Sequence, residues 1–218
     1  MKGVKRLRPP KQVLFPTWEI SKVLDYLSSL GDPLRMPLDK LLMKTAFLVA
    51  LVCFKRPSDL CNMQIVDGYW YLSENSFACQ PLGFSKTEMH NPAQPIYIKP
   101  YSEESNLCPV KNLFVLASKL SKLRSKSDKK FWISAKKPNK GVSRQTMSNW
   151  LKTVIIEAGC LGNARDVRSV GVSTAIQTGF DMERVLKAGD WQRLSTVRRH
   201  YFRPQRLSNL CDILSSNV

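Results

Sequence analysis

The chain has 218 residues, 43% apolar and 23% charged, enough to bury one core of ordinary domain size and too apolar for a disordered tail. Its 34 lysines and arginines against 17 acidic residues leave a net charge of +17. That balance points away from small neutral substrates and towards a polyphosphate partner, because neutralised phosphates release counterions; a merely soluble basic surface is the plain alternative.

The longest apolar stretch, 46–54, falls far short of the roughly 18 residues of a membrane span. The opening MKGVKRLRPPKQ is basic but leads into no apolar segment, so it does not read as a secretory signal. Six cysteines, at 53, 61, 79, 108, 160 and 211, form no CxxC pair, and there are two histidines. No metal or cofactor is therefore expected. Cys53, Cys108, Cys160 and Cys211 stand among apolar neighbours and read as core residues of a reducing compartment, nucleus or cytoplasm.

Residues 1–15 carry five Lys/Arg and a Pro-Pro pair and read as a basic arm or linker remnant. A helix is expected from Thr17, with apolar positions at Val23, Leu24, Tyr26, Leu27 and Leu30, stopped by Gly31 and Asp32-Pro33. A second helix over 38–54 is apolar on most sides and should be the central buried one. Pro57 restarts a helix at a first-turn position, so Arg56 is held between two packed elements. Two readings of Arg56 stand at this point: a site arginine, or an ion pair with Asp59.

Strand residues follow at Ile65, Val66 and 69–72, then at 77–79 and 96–98, with turns at 73–76 and around 83–87 and 90–92. They predict a small three-stranded antiparallel sheet, with Lys86 on the hairpin between the second and third strands. Helices are expected over about 111–123, from Ser143 to Gly159, over about 165–178, and over about 181–188 after Gly179. The basic run 121–130 is a polar connection. Trp191 falls in a turn and Tyr201 in or near a short helix. Apolar residues at 207, 210, 213 and 214 predict a small amphipathic tail helix over 207–216. The fold class is α+β, mainly α-helical.

Arg165 and Arg168 lie three apart, a spacing that shares one helix face. Guanidinium forks match phosphate oxygens bidentately, and Tyr201 near such a phosphate is a candidate nucleophile. His200, its neighbour, points some 100° away on a helix; it packs, faces DNA, or serves as a base.

Five segments in order resemble the catalytic domain of the tyrosine recombinase, or phage-type integrase, family: Arg56-Pro57-Ser58-Asp59-Leu60, Ser85-Lys86-Thr87, Cys108-Pro109-Val110, Arg165-Asp166-Val167-Arg168, and Gly189-Asp190-Trp191 through Tyr201. The resemblance spans about 16–216. The wording FPTWEISKVLDYL, KTAFLVAL and DWQRLSTVRRHYFRP is most similar to the DIRS and Crypton type of eukaryotic mobile element. The family resemblance implies the core fold over 16–218, without the N-terminal core-binding domain, and double-stranded DNA as partner, with tetramers docked through the tail; a tail that covers its own core in a monomer is the alternative. The implied chemistry is cleavage and rejoining through a 3′-phosphotyrosine on Tyr201. Arg56 and Arg168 would grip the phosphate, Lys86 would protonate the leaving oxygen, Trp191 would donate a hydrogen bond and Asp59 would orient Arg56. Arg165 stands where the family has His; it donates but cannot act as a base. Two further readings remain: a DNA-binding module that has lost cleavage, and nicking and resealing of the type IB topoisomerase kind.

Overall fold

The computed structural model describes residues 18–81, 84–85, 88–92 and 95–202. The expected basic arm, Thr17, Lys86, Cys211 and the tail helix all lie outside the described residues.

The first helix, α1 (Ile20–Ser29), starts three residues later than expected, with Glu19 at its N-cap. It buries Val23 and Leu27 and ends where Gly31 takes a left-handed φ of 78°. The central helix α2 (Leu38–Val52) buries ten of its fifteen residues, including Leu41, Leu42, Phe47 and Val49. This follows from its composition, because a helix apolar all round must be covered on every side. Each fully buried side chain of that size contributes roughly 1.5–3 kcal/mol. Phe54, expected inside this helix, has a φ of 51° and lies beyond its end. The short helix α3 (Pro57–Cys61) follows.

Strands β1 (Trp70–Leu72), β2 (Phe77–Cys79) and β5 (Ile96–Ile98) form the predicted antiparallel sheet in the order β1-β2-β5. Registers Trp70↔Cys79, Cys79↔Ile96 and Phe77↔Ile98 put one apolar face inward. Two sequence expectations fail nearby. Ile65 and Val66 lie outside the sheet, because the turn through Gly68 at φ 80° separates them from β1; the Ile65 N–H bonds the Lys129 carbonyl instead, at 2.8 Å. The turn expected at 90–92 is strand: β3 (Phe84–Ser85) and β4 (Glu88–Pro92) pair as a separate two-stranded hairpin. Backbone pairing there overrides the turn preference of Asn91-Pro92, and no alternation of apolar residues marks it.

After a 3-10 turn (Ser105–Leu107) come α4 (Pro109–Ser121) and α5 (Arg144–Glu157), both packed on α2. The Ser143 hydroxyl caps α5 by accepting from the Thr146 N–H at 3.1 Å. Between them Phe131, Trp132 and Ile133 are buried, and Trp70 meets Phe131 at a ring separation of 4.6 Å. Helix α6 (Ala164–Gln177) crosses α2 at Gly171. A Cβ there would lie 2.8 Å from the Leu51 carbonyl oxygen, so only glycine lets the two helices approach this closely. Helices α7 (Met182–Ala188) and α8 (Leu194–His200) close the chain's described part.

Lys44, on α2, is fully buried, its ammonium donating to the Gly31 carbonyl at 3.2 Å. Burial pulls its pKa down to about 8, against smaller opposing effects of Glu104 and Asp32. Between that value and 10.5 the unfolded chain holds a proton the folded one lacks. Its contribution to stability therefore rises with pH across this window, by up to about 1.4 kcal/mol per pH unit. Chemical denaturation of the wild type should show that rise relative to Lys44→Met, which lacks it and is the more stable of the two at neutral pH.

Candidate active site

Behind α6, α7 and α8 sits a small second core of Phe54, Val172, Val185, Trp191 and Val197, with Tyr201 packed against it. It is separate from the main core and brings the C-terminal helices against the junction of α2 and α3.

At that junction the Asp59 carboxylate accepts from the Arg56 N–H at 2.8 Å and the Ser58 hydroxyl at 3.2 Å. No Arg56–Asp59 ion pair forms among the described residues; Asp59 holds Arg56 by its backbone. The guanidinium is left to reach across, and its Nη2 donates to the Tyr201 hydroxyl at 3.4 Å.

Asn163 caps helix α6, its N–H donating to the Asp166 carboxylate at 2.7 Å. Arg165, in the first turn, is exposed and makes no ion pair with the described residues. Arg168, one turn on, is 3% exposed. Its Nη2 donates to the Gly189 carbonyl, and its guanidinium carbon lies 4.0 Å from the Trp191 ring centroid and 4.9 Å from that of Tyr201. The two rings are 4.7 Å apart. Burial, and then the charge of Arg56, pull the Arg168 pKa down to about 10, so it remains a cation at neutral pH. Burial raises the Tyr201 pKa, but the charge of Arg168 and the hydrogen bond from Arg56 outweigh it, and the phenol sits below its ordinary value.

Three buried donors in this cluster, Nε and Nη1 of Arg168 and Nε1 of Trp191, make no hydrogen bond of ordinary geometry among the described residues. Buried donors without partners cost about 1–3 kcal/mol each. Here they gather beside two guanidiniums and a hydroxyl, an arrangement suited to a small oxyanion.

Arg56, Arg168, Trp191 and Tyr201 are thus brought together. Asp59 supports them from behind, Arg165 stays outside their contacts, and Lys86 lies outside the described residues. His200 is exposed on the last turn of α8. Sequence reasoning missed Lys55, which is buried and pairs with Asp190 at 2.6 Å. The Lys-Arg dipeptide closing an apolar helix was the one visible signal, and its partner 135 residues away carries none. Nothing in the sequence says why residue 189 is glycine. The Trp191 ring folds back over it, and a Cβ there would lie 1.8 Å from Trp191 Cζ3. Gly189→Ala should displace the indole and slow any chemistry at Tyr201 at least tenfold, with thermal melting as the control for folding.

No family model and no curated protein matches this chain. Among solved structures, the XerH site-specific recombinase bound to palindromic difH substrate in a post-cleavage complex is similar at a TM-score of 0.64 and 15% identity, over 93% of this chain and 54% of that one. XerA recombinase is similar at 0.60 and 15%, over 97% and 68%. A lambda integrase (75–356) dimer bound to a COC′ core site is similar at 0.55 and 16%, over 94% and 66%. The fold is that of a tyrosine recombinase catalytic domain. This chain spans between 54% and 68% of those three recombinase chains. The resemblance read from five short segments thus holds at the level of the fold, mainly helical with a small three-stranded sheet.

Proposed function

We propose that this chain is a DNA strand transferase that cleaves and rejoins double-stranded DNA through a 3′-phosphotyrosine on Tyr201. The observation that carries the reading is the group of unpartnered Arg168 and Trp191 donors beside the Tyr201 hydroxyl. A phosphodiester accepting from Arg168 and Trp191 satisfies those donors, with Arg56 on a further oxygen. The Tyr201 oxygen attacks phosphorus and the 5′-oxygen leaves, so one P–O bond forms as one breaks and no water is consumed. The guanidiniums offset charge that builds on the non-bridging oxygens. They also favour the phenolate, which is the attacking form and has given its proton to solvent. The departing oxygen takes a proton from Lys86, the general acid of this reading. Arg165 adds an exposed cation for the DNA backbone. Supporting context comes from neighbours that are DNA complexes, including a lambda integrase tetramer on a Holliday junction. Assembly of this chain into tetramers through residues 207–216 is part of the proposal, as is its placement among mobile-element recombinases.

The second reading, a DNA-binding module that no longer cuts, is favoured by Arg165 at the position where the family has His. A duplex nicked near the cleavage site, which traps the covalent intermediate by releasing the leaving strand, separates the two. The proposed function requires a protein–DNA adduct whose nucleotide remnant maps by mass spectrometry to the peptide containing Tyr201. Salt-sensitive binding without adduct supports the binding module. Adduct together with relaxed plasmid and no exchanged products supports nicking and resealing.

A further inference from the structure

The Lys55–Asp190 pair touches neither Tyr201 nor, on the reading above, the phosphate, yet each member is a direct neighbour of residues that do. Lys55 precedes Arg56. Asp190 lies between Gly189, whose carbonyl receives Arg168, and Trp191, whose ring stacks on Arg168 and Tyr201. The turn around Asp190 is already bonded to α7, through Trp191 N–H to the Leu186 carbonyl at 3.0 Å and Asp190 N–H to the Lys187 carbonyl at 3.3 Å. Those bonds fix its shape but not its distance from the α2–α3 junction. The ion pair, at 2.6 Å with side-chain exposures of 2% and 13%, spans that gap.

Stability alone does not account for it. A buried ion pair is often no better than an apolar pair of the same volume, and this one leaves the second oxygen of Asp190 without a partner. Arg184 and Lys187 line the same cleft of about 590 Å³ as Lys55. The Asp190 backbone is left-handed, at φ 54°, a conformation Asp and Asn tolerate better than most residues. What a short, directional charge contact supplies is a defined separation.

We propose that Lys55 and Asp190 are positioning residues: their ion pair pins the Gly189–Trp191 turn to the Arg56 junction and so holds Arg168 and Trp191 against Tyr201. The inference rests on the reading of Tyr201 as nucleophile, and its test is arranged so that the two can fail separately.

The variants are Lys55→Met, Asp190→Asn and both together in the full chain. Met keeps the length and apolar stem of Lys, and Asn keeps the tolerance for left-handed backbone. Each is measured for single-turnover adduct formation on the nicked duplex, DNA affinity, thermal melting and the ultraviolet titration of Tyr201 against a Tyr201→Phe blank. Each single variant is expected to slow adduct formation tenfold or more with DNA affinity within threefold. The double variant should be no slower than the worse single, because the two residues act as a unit.

In Asp190→Asn the Tyr201 midpoint should rise. Loss of the carboxylate charge by itself would lower it, whereas loss of Arg168 from beside the phenol raises it, so the sign separates positioning from simple electrostatics. Unchanged adduct rates with lower melting temperatures, multiplied losses in the double variant, or a Tyr201 midpoint that falls or stays put would overturn the proposal. The double variant leaves no unpaired charge at this position and so remains a test if a single variant fails to fold; a normal adduct rate in it also overturns the proposal. A wild type that forms no adduct, with a raised midpoint in Asp190→Asn, would overturn the nucleophile reading and leave the positioning role standing.

Discussion

Tyr201→Phe is expected to yield no covalent adduct with a nicked duplex while binding DNA within about threefold of the wild type. On the proposed function the hydroxyl is the nucleophile, so its loss cannot be compensated by binding. The ring, in contrast, keeps its place. It packs 4.7 Å from Trp191 and borders the second core, contacts that Phe retains. The hydrogen bond it gives up, from Arg56 at 3.4 Å, is longer than the usual 2.7–3.2 Å and worth under about 1 kcal/mol. Folding should therefore survive, and gel-shift affinity measured beside adduct yield separates the two effects. A Tyr201→Phe variant that still forms adduct would move the nucleophile elsewhere.

The other large effect belongs to Arg168. Arg168→Lys keeps a charge but loses the planar fork and the flat stacking on Trp191 at 4.0 Å. Losing one donor aimed at a developing oxyanion costs about a hundredfold to a thousandfold in rate. Arg168→Lys should sit near the lower figure and Arg168→Ala at or beyond the higher one. Arg168→Ala also strips the Gly189 carbonyl of its partner and opens space beneath two aromatic rings, adding a stability loss of roughly 1–3 kcal/mol. Single-turnover rates at saturating DNA, with melting curves for both variants, distinguish lost chemistry from lost structure. Equal rates for Lys and Arg at 168 would show that a point charge suffices there and that the fork and stack are incidental.

Most of the helices were legible because their signals are local. The all-round apolarity of 38–54 predicts a central helix whatever surrounds it, and Gly31, Gly159 and Gly179 mark helix ends because left-handed backbone suits glycine. The three strands were legible from short β-favouring runs. Where local and tertiary preferences disagreed, the sequence misled: the strands of the β3–β4 hairpin fall on a turn signal, Asn91-Pro92. At Asp59 the sequence leaves two readings open, and the carboxylate is found on a backbone N–H rather than on the neighbouring guanidinium.

By itself the sequence determined the net charge of +17 and the mainly helical fold with its small sheet. These depend on composition and periodicity, readable in one dimension; the candidate site residues came from the resemblance of five short segments. Only the tertiary structure decided which of those residues meet. It buried Arg168 between two aromatic rings and left Arg165, three positions away, exposed, because burial follows from the helix's packing and not from spacing. It also joined Lys55 to Asp190 across 135 positions. An ion pair has no periodicity, so no pattern along the chain could have announced it.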